Sequence, residues 1–210
     1  MKFIHIADVH LGMQPDKGMP WSEGRKKEIK DSFFSLLERC NQENVDFLLI
    51  AGDLFHNQPL IRELKEINYG FSKLIKTKVI LIAGNHDYIS ERSRYINFPW
   101  CEQVYMLDSE EIQSIYFPEN HTRIYGFSYH TRDISEARYD YLYPKDRDCI
   151  NILLAHGGDE KNIPIDFNKL KASGYDYIAL GHIHKHEFIT DRIAYAGSLE
   201  PLDVNETGKH

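Results

Sequence analysis

With 210 residues, of which 42% are hydrophobic and 27% charged, the chain has the size and composition of one ordinary globular domain spanning residues 1–210. Its 25 Lys and Arg against 32 Asp and Glu leave a net charge of −7, which disfavours indiscriminate binding to nucleic acid and restricts any polynucleotide contact to a local surface. No stretch approaches the roughly 20 apolar residues of a membrane-spanning helix, and Met1–Asp8 enters a strand pattern without signal-peptide architecture, so we expect a cytoplasmic protein.

The first half of the chain alternates between strand-like and helix-like patterns. Short apolar runs predict buried strands, and apolar residues at helical spacing predict helices with one buried stripe. They follow in the order Phe3–Ala7, Arg25–Asn41, Phe47–Ala51, Leu60–Ile75 and Val79–Ala83. Such alternation favours parallel strands joined by helical crossovers. The segment Leu11–Gly24 contains three glycines and two prolines and is predicted to be a long loop.

The middle of the chain changes to short strand-like runs separated by polar residues. These runs predict antiparallel strands or a sheet edge, and they are Val104–Leu107, Ile112–Phe117 and Thr122–Phe127. Asp133 is expected to cap a short helix through Tyr141. Strands return at Ile150, Tyr177, Phe188 and Arg192. We find no internal repeat or linker, and the polar end Asn205–His210 has no closing element, which is typical of a fragment of a longer protein.

Five of the apolar runs are followed, within a residue or two, by a side chain that can coordinate a metal ion. These side chains are Asp8, His10, Asp53, Asn85, His156, His182 and His184. Because strands in open sheets bind ligands at their carboxyl ends, we expect the seven groups to meet at one sheet edge. A glycine directly precedes three of them, at Gly52, Gly84 and Gly181, where the missing Cβ allows a sharp turn or close approach to an ion. The histidines that lack this context are expected in the core or at the surface: His5, His121, His130, His186 and His210.

The donor types and their spacing predict a pair of metal ions. Asp8 and His10, as alternate residues on an extended backbone, would share one face and bind one ion. The rings of His182 and His184 could serve two neighbouring ions, with Asp53 as the bridging carboxylate. The three cysteines are widely spaced and indicate no thiolate site. Nitrogen and oxygen donors favour Mn, with Fe, Zn or Co as alternatives, and the histidines disfavour an all-oxygen Mg or Ca site.

Such a site predicts hydrolysis. Two ions about 3.5–4 Å apart activate a water molecule and bind the oxygens of a phosphoryl group. His86 directly follows Asn85, and we expect the adjacent carboxylate of Asp87 to orient its ring for transition-state stabilisation or for protonation of a leaving oxygen. Each motif alone is more often structural than functional, since a strand-terminal Asp is commonly a turn former. Their recurrence at five separate strand ends disfavours a purely structural explanation.

The same residues form an ordered set of motifs: Asp8-Val9-His10, Gly52-Asp53, Gly84-Asn85-His86-Asp87, His156 and Gly181-His182-Ile183-His184. The set resembles that of the calcineurin-like metallophosphoesterase superfamily, over nearly the whole chain. The resemblance implies an α/β fold with four layers, an αββα sandwich of two mixed sheets flanked by helices. It also implies that one ion is held by Asp8, His10, Asp53 and His184, and the other by Asp53, Asn85, His156 and His182.

Three further stretches, Phe3–Gly12, Gly52–His56 and Ala196–Pro201, are similar to the SbcD branch of that superfamily, the double-strand-break-repair nucleases. The similarity implies that His56 assists exonuclease chemistry, although its position alone would indicate a solvent-facing loop residue. It also implies DNA as the substrate and an SbcC-type ATPase as a partner. The DNA-capping region and the ATPase-docking segment of that branch have no counterpart in these 210 residues. Whether the chain forms a homodimer is left open.

Three functions compete. A metal-dependent DNA nuclease is favoured by His56 and the Gly197–Pro201 stretch, whereas a phosphoesterase for small diesters or monoesters, such as cyclic nucleotides, is favoured by the net charge of −7 and the missing capping region. A scaffold without chemistry is disfavoured by the complete donor set.

Arg92, Arg94 and Tyr95 could contact a phosphate backbone or stack on a base, or they could instead cap a surface helix.

Overall fold

Two β-sheets form the centre of the fold. A computed structural model of the chain describes residues 1–206, so the placement expected for His210 lies outside the described residues. The elements are, in chain order, β1 Phe3–Ile6, α1 Ser22–Gln42, β2 Phe47–Ala51, α2 Ile61–Phe71, β3 Lys78–Ile82, β4 Val104–Met106, β5 Gln113–Phe117, β6 Thr122–Gly126, β7 Ile150–His156, α3 Phe167–Ala172, β8 Tyr177–Gly181, β9 Glu187–Thr190 and β10 Ile193–Tyr195. Within residues 1–206, every helix is too short or too polar to cross a lipid bilayer.

The first sheet has the strand order β1-β2-β3-β4, and each neighbouring pair is parallel. The helices α1 and α2 connect its first three strands as crossovers. The observed bounds of β1, β2 and β3 agree with the predicted strands to within one residue at each end. The predicted alternation of strand and helix in the first half of the chain is therefore confirmed.

The second sheet has the strand order β5-β6-β7-β8-β10-β9. Its inner pairs are parallel, whereas the two edge strands, β5 and β9, pair antiparallel with their neighbours. The expected change in the middle of the chain is confirmed, because β4 lies at the edge of the first sheet and β5 begins the antiparallel edge of the second.

The sheets pack face to face around an apolar core. Because successive side chains of a strand point to opposite faces, Leu49 of β2 packs in the layer that also holds Leu154 of β7, while Ile50 packs with Phe33 of α1. The helices α1 and α2 cover the outer face of the first sheet. The helix α3 and irregular chain cover the outer face of the second. The four-layer αββα sandwich is thus confirmed, with the difference that only the second sheet is mixed, because all pairs of the first are parallel.

The helix predicted over residues 133–141 is wrong, since this segment forms turns. The N–H of Ile134 donates to the Lys161 carbonyl at 2.8 Å, and the N–H of Ile163 donates to the Ile134 carbonyl at 2.7 Å. This bridge joins two distant stretches of backbone, and the ring of Tyr139 is fully buried in the second core. Tertiary pairing therefore overrides the local capping signal.

The helix ends also differ from the prediction. The helix α1 begins at Ser22, whose hydroxyl donates to the Pro15 carbonyl at 2.6 Å, so the loop predicted over Leu11–Gly24 ends three residues earlier. The helix α2 ends at Phe71 rather than Ile75. The short helix α3 was not predicted, although Asp166 caps it by accepting the Asn168 N–H at 2.9 Å. Each of these discrepancies concerns an element end or one short helix.

Candidate metal centre

The seven predicted donors meet where the carboxyl ends of the central strands of both sheets converge. His156 ends β7, and its Nε2 lies 3.4 Å from Oδ2 of Asp53, which follows β2. The same oxygen lies 3.7 Å from Nε2 of His10, which follows β1. Asp53 therefore stands between two groups of donors, in the position that a bridging carboxylate requires.

On one side of Asp53, Nε2 of His10 lies 3.2 Å from Nε2 of His184. The ligand atoms of Asp8, His10 and His184 all lie within 4.8 Å of one another. On the other side, Oδ1 of Asn85 lies 2.9 Å from Nε2 of His156 and 3.2 Å from Nδ1 of His182. The structure thus brings together all seven donors that the sequence indicated.

The backbone around these donors is left-handed rather than extended. The φ angles of Asp8, His10 and Asp53 are 50°, 50° and 51°, and that of His182 is 94°. The expectation that Asp8 and His10 share a face on an extended strand is therefore wrong, although both reach the centre. Non-glycine residues in this region cost about 1–3 kcal/mol each, and neighbouring strands hold them there: the His10 N–H donates to the Asp53 carbonyl at 3.0 Å.

Glycine is required where backbone and donors crowd, and a Cβ on Gly52 would lie 2.3 Å from Nδ1 of His156. A Cβ on Gly84 would lie 2.3 Å from Oδ1 of Asp53, and a Cβ on Gly181 would lie 2.0 Å from the Ala51 carbonyl oxygen. All three separations are far below van der Waals contact. The predicted role of these glycines, close approach of the chain to the centre, agrees with this geometry.

The ring nitrogens of the four histidines support metal binding. One nitrogen of each ring faces the cluster, and the other has its own partner: Ala51 O at 2.9 Å for His156, Asp159 Oδ2 at 2.7 Å for His182, Glu206 Oε1 at 2.6 Å for His184 and His56 Nδ1 at 3.2 Å for His10. An oxygen acceptor holds the proton on the outer nitrogen, which leaves the inner nitrogen free to coordinate. The residues present therefore fit divalent ions. Asp159 and Glu206 were missed in the sequence because neither follows a strand directly.

Burial and neighbouring charges shift the two carboxylates of the centre in opposite directions. Burial, with the charge of Asp53 adding to it, raises the pKa of Asp8 to about 7. Burial also lowers the pKa of His10 to about 3. Burial opposes the charged form of His156 as well, but the adjacent Asp53 carboxylate raises the His156 pKa to about 9, while His156 in turn lowers the pKa of Asp53. A bound cation would stabilise both carboxylates in their charged form.

Two further histidines stand at the open side of the cluster. The backbone N–H of His86 donates to Oδ1 of Asp53 at 2.9 Å, and its ring Nδ1 lies 3.0 Å from the His56 carbonyl oxygen. The His56 and His86 rings stack at a centroid distance of 5.0 Å. Both side chains are half-buried. His56 therefore lies within the site rather than on a remote loop.

Asp87 does not orient His86 as expected. Its buried carboxylate accepts the Gly84 N–H at 2.8 Å, the Phe55 N–H at 3.2 Å and the Tyr95 hydroxyl at 2.7 Å. Burial, followed by the nearby charge of Asp53, raises the Asp87 pKa to about 6. The carboxylate thus ties together the two loops beneath the site, and the His56 carbonyl takes over the orientation of His86.

Tyr95 is also not the surface residue that the sequence indicated. Its side chain is buried, so it cannot stack on a nucleic acid base. Residues 91–97 form turns, so the alternative of a surface helix is wrong as well. Arg92 and Arg94 are exposed, as a phosphate contact would require.

Comparison with known proteins assigns the family. The model for calcineurin-like phosphoesterases matches residues 1–186. The chain therefore belongs to this family, and it is a metallophosphoesterase, a class of metal-dependent hydrolases. The resemblance inferred from the motifs is confirmed.

Its relatives include proteins of DNA repair. The chain is 32% identical to the uncharacterized metallophosphoesterase YhaO of Bacillus subtilis, over 99% of this chain and 55% of the relative. It is 31% identical to the DNA double-strand break repair protein Mre11 of Methanocaldococcus jannaschii, over 98% of this chain and 58% of the relative. It is 30% identical to Mre11 of Archaeoglobus fulgidus, over 100% and 52%. The chain spans about half the length of the curated relatives it matches.

Proposed function

We propose that this chain hydrolyses phosphodiester bonds of DNA with two divalent metal ions, as a nuclease of DNA repair. The observation that carries the proposal is the position of the Asp53 carboxylate, 3.4 Å from His156 and 3.7 Å from His10, between two groups of donors. The Mre11 relatives at 30% and 31% identity support DNA as the substrate.

The donors divide into two sets that share Asp53. We assign the first ion to Asp8, His10, Asp53 and His184, and the second to Asp53, Asn85, His156 and His182. When bound, the two ions supply a water molecule of lowered pKa and electrostatic stabilisation of the phosphoryl oxygens. We propose Mn, with Fe, Zn or Co as alternatives, because the donors are nitrogen and oxygen atoms without a thiolate.

His86 is the residue that we assign to proton transfer. A carbonyl oxygen only accepts hydrogen bonds, so Nδ1 of His86 carries the proton that the His56 carbonyl accepts at 3.0 Å. Nε2 remains available, and in the imidazolium form it can donate a proton to a leaving oxygen. Asp87 supports this role at a distance, by fixing the loop that carries His86.

We also assign a role to His56, from its hydrogen bond with His10. If His10 coordinates through Nε2, its Nδ1 carries a proton and donates it to Nδ1 of His56, 3.2 Å away. His56 then carries its own proton on Nε2. We propose that this N–H contacts a phosphate oxygen of the substrate and assists exonuclease cleavage.

The second candidate is hydrolysis of small phosphodiesters or phosphomonoesters, such as cyclic nucleotides. The net charge of −7 favours it, because a polyanion is repelled by an acidic surface. The same metal centre would serve both substrates. The two candidates therefore differ in the substrate and not in the chemistry.

One assay separates the candidates. The purified protein with manganese is incubated with single-stranded DNA, with double-stranded DNA, with bis(p-nitrophenyl) phosphate and with p-nitrophenyl phosphate, beside a chelator-treated control. The proposal predicts metal-dependent DNA cleavage. Turnover of the small esters without DNA cleavage would establish the second candidate, and no turnover of any ester would contradict both.

The partners and location belong to the same proposal. We propose a cytoplasmic protein that associates with an SbcC-type ATPase, with a homodimer as one possible assembly. Co-elution with such an ATPase from the same organism during size-exclusion chromatography, together with the measured mass of the protein alone, tests both associations.

A further inference from the structure

The segment Ser198–Glu206 lies between the metal centre and α1. The Ser198 N–H donates to the His184 carbonyl at 2.9 Å. The preceding Gly197 comes so close that an added Cβ would lie 2.8 Å from the same carbonyl oxygen. Leu202 is buried in the core that α1 covers. The segment thus contacts both the backbone of the metal centre and the core that α1 covers.

Polar contacts dock the segment on α1, among them an ion pair between Arg25 and Glu200 at 4.0 Å. The Arg25 guanidinium donates to the Pro201 carbonyl at 2.7 Å. The Ser32 hydroxyl donates to the Glu200 carboxylate. These contacts do not involve the donors of the metal centre.

Glu206 provides the contact with the metal centre itself. Its Oε1 lies 2.6 Å from Nδ1 of His184, and its Oε2 accepts the Leu202 N–H at 2.8 Å and the Ser198 hydroxyl at 3.1 Å. The side chain is only 19% exposed, so water competes little for these bonds. Both oxygens are therefore occupied, and the carboxylate has one orientation.

We propose that Glu206 is a positioning residue for His184, and that its contact with the ring raises the affinity for the first metal ion. Glu206 holds the proton of His184 on Nδ1, which turns Nε2 towards His10. The proposal rests on the function proposed above, because it requires His184 to coordinate.

The other ring partners show why Glu206 is distinctive. His156 is held by the backbone carbonyl of Ala51, which the sheet fixes. His182 is held by Asp159, whose side chain is 49% exposed. Of these oxygen partners, Glu206 alone belongs to the segment after the last strand, where the Leu202 N–H and the Ser198 hydroxyl fix its carboxylate.

The test compares manganese binding by the wild-type protein, Glu206→Ala and Glu206→Gln. Titration calorimetry measures the two affinities, and electron paramagnetic resonance distinguishes an exchange-coupled manganese pair from a single ion. Loss of an outer partner of a ligating histidine weakens metal affinity about 10–100-fold. We expect the affinity of Glu206→Ala for one ion to fall by this factor, while the other ion binds as before. The spectrum of this variant should then be that of a single ion.

Two variants separate positioning from mere loosening of the segment. Glu200→Ala removes the acceptor of the Ser32 hydroxyl on α1 from the same segment without touching His184, and we expect both ions to bind as in the wild type. Glu206→Gln retains an amide oxygen that can accept from His184, and we expect an affinity between those of Glu206→Ala and the wild type. Circular dichroism and thermal melting identify any variant that fails to fold, and Glu206→Gln, the milder change, then decides the question.

The outcomes are distinct. A folded Glu206→Ala that binds both ions as the wild type does would overturn the proposal, and so would an equal loss in Glu200→Ala. Wild-type protein that binds only one manganese ion, or none, would overturn the proposed dinuclear function and this inference with it.

Discussion

The buried side and the open side of the metal centre are held in different ways. Asp8, His10, Asp53 and His156 are each at most 1% exposed. Backbone atoms of neighbouring strand ends hold them, as when Asp8 accepts the N–H that follows β8 at 2.9 Å. The open side consists of His56, His86, His182 and His184, which are partly exposed. There, three of the four rings have a side-chain partner.

This difference shows which parts of the site can change independently of the fold. On the buried side, the side chains that we assign to the ions are also packed inside the fold. On the open side, a side chain can be replaced without a change in the strands. We therefore expect substitutions on the buried side to remove metal, and substitutions on the open side to affect turnover or affinity selectively.

Asp53→Asn should have the largest effect, because it neutralises the carboxylate that the two ions share. We expect occupancy of both ions to fall together and hydrolysis to drop below detection. Metal content by mass spectrometry and cleavage of bis(p-nitrophenyl) phosphate measure the two effects. Asp31→Asn, an exposed carboxylate of α1, is the control. Wild-type activity in Asp53→Asn would refute the bridging assignment.

His86→Gln should separate chemistry from binding on the open side. We expect both ions to remain while turnover falls about 10²–10⁴-fold, the usual contribution of a general acid or base. Metal content and turnover are measured on the same sample, with His121→Gln, an exposed histidine, as the control. Loss of an ion from His86→Gln would make His86 a ligand instead.

Asp159→Ala tests the outer partner of His182. We expect the affinity of the second ion to fall about tenfold, at the lower end of such effects, because water can partly replace a carboxylate that is 49% exposed. Manganese titration measures it, with the neighbouring Glu160→Gln as the control. An unchanged affinity would show that His182 needs no partner.

Tyr95→Phe should have the smallest effect on the centre and a measurable effect on stability. It removes the hydroxyl that donates to Asp87 at 2.7 Å and leaves a buried acceptor with one fewer partner. We expect the free energy of unfolding to fall by about 1–3 kcal/mol, measured by urea denaturation. Tyr69→Phe, at an exposed position of α2, should change it little. Equal losses in both variants would contradict the anchoring role of Asp87.

Much of the fold could be predicted because its signals are local. The runs at Phe47–Ala51 and Tyr177–Leu180 are apolar over the length of a strand, and the observed strands match them to within one residue. The helix predicted over residues 133–141 does not form, because Ile134 pairs with Asn162. That residue is about 30 positions away in the chain and lies outside any local pattern. Element ends differed by a few residues, as fraying and local turns make usual.

The sequence by itself determined the donor types of the centre and their places after strands, because side-chain chemistry and strand periodicity are properties of neighbouring residues. Only the tertiary structure decided which atoms hold them. It turned Asp87 inward to Tyr95, placed Asp159 and Glu206 behind two histidines, and held Asp8 in a left-handed backbone. These contacts join residues that are distant in the chain or turned away from their neighbours, and folding alone sets their distances.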